Sequence, residues 1–224
     1  MPARHKSKFP RESLAARRRR AAAILAALRR LYPRSRTALD WRDPFQLLVA
    51  TILSAQCTDE RVNQVTPALF RAFPDPASLA AAGQEEVEEL IRPTGFFRNK
   101  ARNLRGAAAA IVERHGGRVP ETMEELLALP GVARKTANCV LGTAFGRNEG
   151  VVVDTHVGRL ARRLGLSREK DPVKVERDLM KLFPRDSWTR LSHMLIDHGR
   201  TVCRARKADC DACYLVDLCA QREV

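Results

Sequence analysis

The sequence predicts an all-α protein on three observations. Apolar residues recur every three or four positions along most of its 224 residues, no stretch alternates as a half-buried strand does, and Asp-Pro and Pro-Gly pairs mark helix starts and turns. The apolar run at 151–153 is too short to change that class. The length suffices for one large domain or two small ones with an ample core.

Taken in order, residues 1–20 carry eight Lys or Arg, one Glu and no hydrophobic periodicity. They read as a solvated basic tail, with a flexible arm expected over 1–17. An Arg-rich, acid-poor start also suits an organellar transit peptide, although a helical pattern follows it directly. Residues 21–32 place Ile24, Leu25, Leu28 and Leu31 on one face, an amphipathic helix. Asp43-Pro44 starts a helix over 45–56 that is apolar on nearly every side and belongs at the centre of a core. A helix over 59–73 turns Val62, Val65, Leu69 and Phe70 inward, with Pro67 expected to kink or divide it. Short helices follow near 78–82 and 85–91, then a longer one over 98–115 with Leu104, Ala108, Ile111 and Val112 inward. The remaining helical patterns run over 123–129, 134–145, 155–164, 173–183 and 187–203.

A net charge of +14 favours a polyanionic partner, though a merely basic surface would read the same way. No apolar run reaches the length of a membrane span and the start lacks the apolar core of a secretion signal, so neither membrane nor export is expected. Of six cysteines, Cys203, Cys210, Cys213 and Cys219 crowd into the last 22 residues. That clustering points to a metal site in a reducing compartment rather than to disulfides spread along the chain. Four thiolates could bind zinc, the generic alternative. Cys57 and Cys139 stand apart in apolar helical patterns and read as inert core thiols.

The most informative stretch is 129–156. Pro130-Gly131 joins two helical patterns by so tight a turn that they form a hairpin. The free N–H groups at the start of the second helix, with the positive end of its dipole, make a phosphate site. Lys135 stands one residue into that helix, where the same field should disfavour its charged form and make it an amine nucleophile. A lysine that merely touches phosphate is the plainer reading. Asp154 follows 19 residues later, as an acid/base partner or as an ordinary helix N-cap. An anion clamp, an amine and a carboxylate together suggest chemistry on a nucleic-acid backbone.

Residues 129–156 resemble the helix–hairpin–helix motif and following Asp loop of the base-excision DNA glycosylase superfamily, and within it the endonuclease III family. LLVATILSAQCTDERVNQV at 47–65 and the cysteine array at 203–219 resemble that family too, so the match covers nearly all of 18–219. The resemblance implies two domains with the active site in the cleft between them. One is a helical bundle over 37–148 carrying the hairpin; the other joins 18–36 to 149–224 around an iron–sulfur cluster. It implies that Lys135 attacks the sugar C1′ carbon, expels the damaged base and forms a Schiff base, after which β-elimination cuts the strand. Asp154 would stabilise the oxocarbenium charge or help to deprotonate Lys135.

By the same resemblance the four cysteines hold a [4Fe-4S] cluster, which shapes a basic loop at Arg204, Arg206 and Lys207 for phosphate. The hairpin N–H groups at Gly131, Val132 and Ala133 bind phosphate, and His156 is a phosphate contact or a structural residue. Gln56 matches the residue that fills the gap left by a flipped nucleotide, and Phe96 sits where relatives carry a wedge. Phe96 and Phe97 packed together in the core is the plainer reading. The expected partner is double-stranded DNA containing oxidised pyrimidines or abasic sites. A monomer would meet it at the nucleoid in the bacterial cytoplasm, or in an organelle or nucleus of a eukaryote.

Three departures bear on substrate range rather than reaction type, the first being a basic N-terminal arm that exceeds the family minimum. Ala133 stands where the hairpin often has a second glycine, and Leu127 where some relatives have an acidic residue. The rival readings are a monofunctional mismatch glycosylase, disfavoured by Lys135, and a non-catalytic DNA-binding or redox-sensing hairpin protein.

Overall fold

The structure, a computed structural model, describes residues 12–221. Most of its helices begin at a Ser, Thr or Asp whose side chain accepts the N–H three residues on, satisfying one of the donors a helix start leaves free. Ser13 caps α1 (Leu14–Leu31), Asp43 caps α2 (Pro44–Leu53) and Thr58 caps α3 (Asp59–Ala72). Asp75 caps α4 (Pro76–Ala81) in a reciprocal box with Ser78. Helices α5 (Gln84–Ile91) and α6 (Phe97–His115) follow without side-chain caps. Thr122 caps α7 (Met123–Leu127), which the hairpin turn joins to α8 (Arg134–Ala144). Asp154 caps α9 (Thr155–Arg163), Asp171 caps α10 (Pro172–Leu182), and α11 (Trp188–Thr201) completes the order. Among the described residues there is no strand, only an isolated bridge between Cys203 and Ala208. No helix among them is long and apolar enough to cross a membrane.

The chain divides into two compact units. The inserted unit, Thr37–Arg147, holds α2 to α8. Its core gathers Leu47, Leu48 and Leu53 of α2, Val62 and Leu69 of α3, Leu104 and Ile111 of α6, and Leu141 of α8. The run of apolar residues in α2 is explained by its burial on nearly all sides. The terminal unit joins Met1–Arg36 to Asn148–Val224 and holds α1 with α9, α10 and α11. Ile24 and Leu28 of α1 pack there with Val157, Leu160, Val175, Leu179, Leu191 and Leu195.

Four expectations are corrected. Helix α1 begins at Leu14, so 14–17 belong to a helix and not to an arm; residues 1–11 lie outside the described residues. Helix α3 runs through Pro67 undivided. The ring is exposed, and Val62, Val65 and Leu69, buried on either side, hold the helix across the missing hydrogen bond. Helix α2 ends at Leu53, after which Gln56 turns left-handed at φ 53°, so Cys57 lies in a turn and not in a helix. Val112 is exposed, on the edge of the α6 stripe.

Arg20 explains why periodicity missed the start of α1. Its guanidinium, 7% exposed, pairs with Glu12 at 2.7 Å and donates to the carbonyls of Leu164 at 2.6 Å and Leu218 at 2.9 Å. The hydrogen bond from Arg20 holds the Glu12 carboxyl below its ordinary range. Arg20→Ala leaves these acceptors buried and unmatched, and is expected to lower the stability of the terminal unit by about 3 kcal/mol in urea unfolding. An unchanged midpoint would show that water replaces the guanidinium without loss.

Candidate nucleic-acid interface

In the inserted unit the hairpin turn rests on α6. Gly131 takes φ +76°, and a Cβ added there would lie 2.8 Å from the Asn103 Cβ. One turn further along α6, Gly106 leaves room for Pro130; a Cβ at Gly106 would stand 3.2 Å from the proline Cγ. Val132 anchors the turn, with its side chain buried and its N–H donated to the Leu129 carbonyl at 3.2 Å. Ala133 is the N-cap of α8, which has no side-chain cap and no acidic residue in its first turn. Such a start presents N–H groups and the positive end of the dipole to an incoming anion. Lys135, exposed, is the second residue of that helix.

The same unit exposes two side chains on left-handed backbone. Gln56 has φ 53° and Phe96 φ 47°, a conformation that costs a residue with a Cβ roughly 1–2 kcal/mol. Phe96 is 65% exposed, so the reading that packs both phenylalanines in the core fails for it. Phe97 is half-buried, with the Arg92 and Arg98 guanidinium carbons 5.4 and 5.6 Å from its ring centroid. Leu127 is exposed on α7.

In the terminal unit Asp154 both caps and pairs. One carboxylate oxygen accepts the Val157 N–H at 2.8 Å, and the other stands 3.1 Å from His156 Nδ1. Both side chains are half-buried, and His156 packs beside Gly199 of α11. The capping fixes the carboxylate at the mouth of α9, so the bland and the chemical readings of Asp154 are compatible.

The four clustered cysteines line one cavity together with Leu160, Arg163, His198 and Gln221. Among the described residues no three His, Cys, Asp or Glu side chains converge tightly enough to hold a metal ion. Three of the sulfurs meet an N–H or ring nitrogen. Arg163 Nη1 donates to Cys203 Sγ at 3.4 Å, the Gln221 N–H donates to Cys219 Sγ at 3.3 Å, and His198 Nε2 lies 3.5 Å from Cys213 Sγ. Burial pushes His198 down to about 4, leaving it uncharged near neutrality. The Tyr32 hydroxyl stands 2.9 Å from the other ring nitrogen, Nδ1. Burial raises the Cys210 and Cys213 thiols and pushes Cys219 up to about 11. Arg204, Arg206 and Lys207 are exposed on the loop between the first two cysteines. Arg163 braces that loop through the carbonyls of Arg204 and Ala205, at 2.7 and 3.0 Å.

A family model described as HhH-GPD superfamily base excision DNA repair protein matches residues 49–185. The endonuclease III of Synechocystis sp. is 59% identical over 206 residues, covering 92% of this chain and 94% of that protein. The endonuclease III of Bacillus subtilis is 43% identical over 192 residues, 85% of this chain and 87% of that one. A solved structure of a trapped endonuclease III–DNA covalent intermediate matches with a TM-score of 0.86 and 40% identity, over 91% of this chain and 96% of that one. The chain belongs to the endonuclease III family.

Within that family assignment the matched region spans the hairpin, Lys135 and Asp154 and ends before the cysteines. Lys135, Gly131, Ala133, Gln56 and Phe96 lie in the inserted unit; Asp154, His156, the cysteines and the basic loop lie in the terminal one. The Val132 N–H, expected to meet phosphate, serves the Leu129 carbonyl in this structure. Sequence reasoning missed the buried cations Arg20, Arg163 and Lys100. The signal was present for Lys100, which falls four residues before Leu104 on the apolar stripe of α6.

Gly131→Ala combines a left-handed alanine with a contact against α6 that the helix backbone cannot relieve. It is expected to destabilise the inserted unit by about 2 kcal/mol or more in denaturant unfolding. A neutral result would mean that the turn lifts off Asn103 at no cost.

Proposed function

We infer that the protein is a bifunctional DNA glycosylase and apurinic/apyrimidinic lyase, which removes oxidised pyrimidines from duplex DNA in base excision repair. The observation that carries this reading is Lys135. It is an exposed amine at the start of an uncapped helix, in a chain 40% identical to an endonuclease III trapped as a covalent intermediate with DNA. The hairpin holds a phosphate, which places the neighbouring sugar for the amine. The nitrogen of Lys135 bonds to C1′ as the C1′–N bond to the base breaks, and the base leaves with that electron pair and takes up a proton. Opening of the sugar ring and loss of a proton from nitrogen give the Schiff base. The imine acidifies the C2′ proton, whose removal expels the 3′ phosphate, and water then releases the free lysine. Asp154 supplies negative charge to the developing oxocarbenium ion or takes the proton from Lys135. Its cap to Val157 keeps the carboxylate oriented. Gln56 and Phe96 fill the duplex where the nucleotide has been flipped out.

The four cysteines suit a [4Fe-4S] cluster. All four line one cavity, the shared space that a cluster held by four thiolates requires. N–H groups aimed at sulfur at Cys203 and Cys219 suit thiolate ligands. When bound, the cluster supplies a rigid centre that shapes the loop bearing Arg204, Arg206 and Lys207 for phosphate. With duplex DNA as substrate and a metal-bound cysteine set, an intracellular monomer is the setting this reading favours.

Borohydride trapping on a thymine glycol duplex is expected to give a covalent protein–DNA band with the wild type and none with Lys135→Ala, which still binds the duplex. A band of equal strength from the variant would remove Lys135 from the chemistry. Elemental analysis of the purified protein is expected to find about four irons per chain, with the brown colour lost on chelation after oxidation. Stoichiometric zinc without iron would overturn the cluster assignment.

A further inference from the structure

Helix α6 buries Ala101, Leu104, Ala107, Ala108 and Ile111 along one stripe, and Lys100 lies in line with them at 5% exposure. An ammonium in that position is tolerated only if its protons are matched. The Nζ donates to two main-chain carbonyls, Leu53 at 2.8 Å and Thr94 at 2.8 Å. Leu53 is the last residue of α2, so its carbonyl lies beyond the reach of that helix's own N–H groups and at the negative end of its dipole. Thr94 closes the 3-10 turn Arg92–Thr94 that leads into α6. The backbone N–H of Lys100 also donates to the Phe96 carbonyl at 3.1 Å.

Each of the two carbonyls stands just ahead of a strained residue. Leu53 comes three residues before Gln56, and Thr94 two before Phe96. Those are the two non-glycine residues of the inserted unit on left-handed backbone among the described residues, and both are exposed. Strained conformations of this kind persist only where the surroundings over-determine them. One buried side chain here ties together the take-off points of both.

We propose that Lys100 is a positioning residue that fixes Gln56 and Phe96 in one relation to each other, so that they enter the duplex as a unit. This rests on the glycosylase reading above. It assigns the lysine no contact with DNA.

The test compares the wild type with Lys100→Met, which keeps the stem and removes the donors. Three quantities are read: single-turnover release of base from a thymine glycol duplex, strand cleavage at an abasic site in single-stranded DNA, and the fluorescence of 2-aminopurine opposite the lesion. A single strand has no gap to fill, so its cleavage reports Lys135 and the general integrity of the fold. Lys100→Met is expected to slow duplex base release about tenfold, the effect of losing charged hydrogen bonds. Single-strand cleavage should stay within about twofold and the fluorescence rise should fall. Added to Gln56→Ala/Phe96→Ala, the same change should cost less than about a further twofold, since it acts through those side chains.

Equal losses on both substrates, or an undiminished loss in the double-alanine background, would overturn the proposal. So would a wild type that shows no fluorescence rise. If the wild type shows the rise but releases no base, the glycosylase reading fails while the fluorescence of Lys100→Met still decides the lysine's role. Should Lys100→Met not fold, Lys100→Gln, with an amide too short to span both carbonyls, is expected to show the same pattern.

Discussion

The seat of the hairpin turn on α6 admits a backbone and nothing more, and the arrangement of the inserted unit's functional surface follows from it. Two glycines meet across the contact from opposite partners, Gly131 in the turn and Gly106 in the helix. Glycine inside a helix ordinarily costs roughly 0.5–1 kcal/mol, and here the proline ring that fills its place offsets the cost. With the turn pressed against Asn103, Val132 can only point into the core. Helix α8 is therefore entered through Ala133, its N-cap, and the second helical position, Lys135, emerges beside the uncapped N–H groups. The amine and the uncapped helix start are thus placed by the same contact.

A second theme is the use of cations as internal braces for main chain that has no ladder of its own. Arg20 reaches carbonyls at the end of α9 and near Cys219, Arg163 holds those of Arg204 and Ala205, and Arg159 those of Gly199 and Cys203. Loops leave carbonyls without partners, and a long flexible side chain with several donors can satisfy them at a distance. The cysteine loop, short of apolar side chains, depends on this device. Part of the basic composition is therefore inside the molecule, spent on folding rather than offered to a partner.

This division also explains how far the residues alone disclose the fold. The helices were legible because their apolar faces are set by period, and two of their starts because Asp43 and Asp154 announce caps. The hairpin and its lysine were legible because Pro130-Gly131 allows few backbones. Arg20 and Lys100 were not, since a charged residue is presumed to face water until its partners, distant in sequence, are known. The ends of elements failed for a related reason. Nothing local says that Gln56 leaves α2 by a left-handed turn; the restraint that accompanies this turn is supplied from α6, 47 residues away at the Leu53 carbonyl.

The terminal unit is assembled from the two extremes of the chain, with the inserted unit between them, and this imposes an order on biosynthesis. As the polypeptide leaves the ribosome, α2 to α8 form a continuous stretch that can close its core on its own. Helix α1, made first, carries an apolar face whose partners on α10 and α11 do not yet exist. Its arginine bridges to Leu218 across 198 residues. Helix α1 therefore waits, with Ile24, Leu25 and Leu28 uncovered, until α10 and α11 have been synthesised. The cysteine loop follows α11 in the chain, so a cofactor delivered to it would arrive at the step that completes the terminal unit.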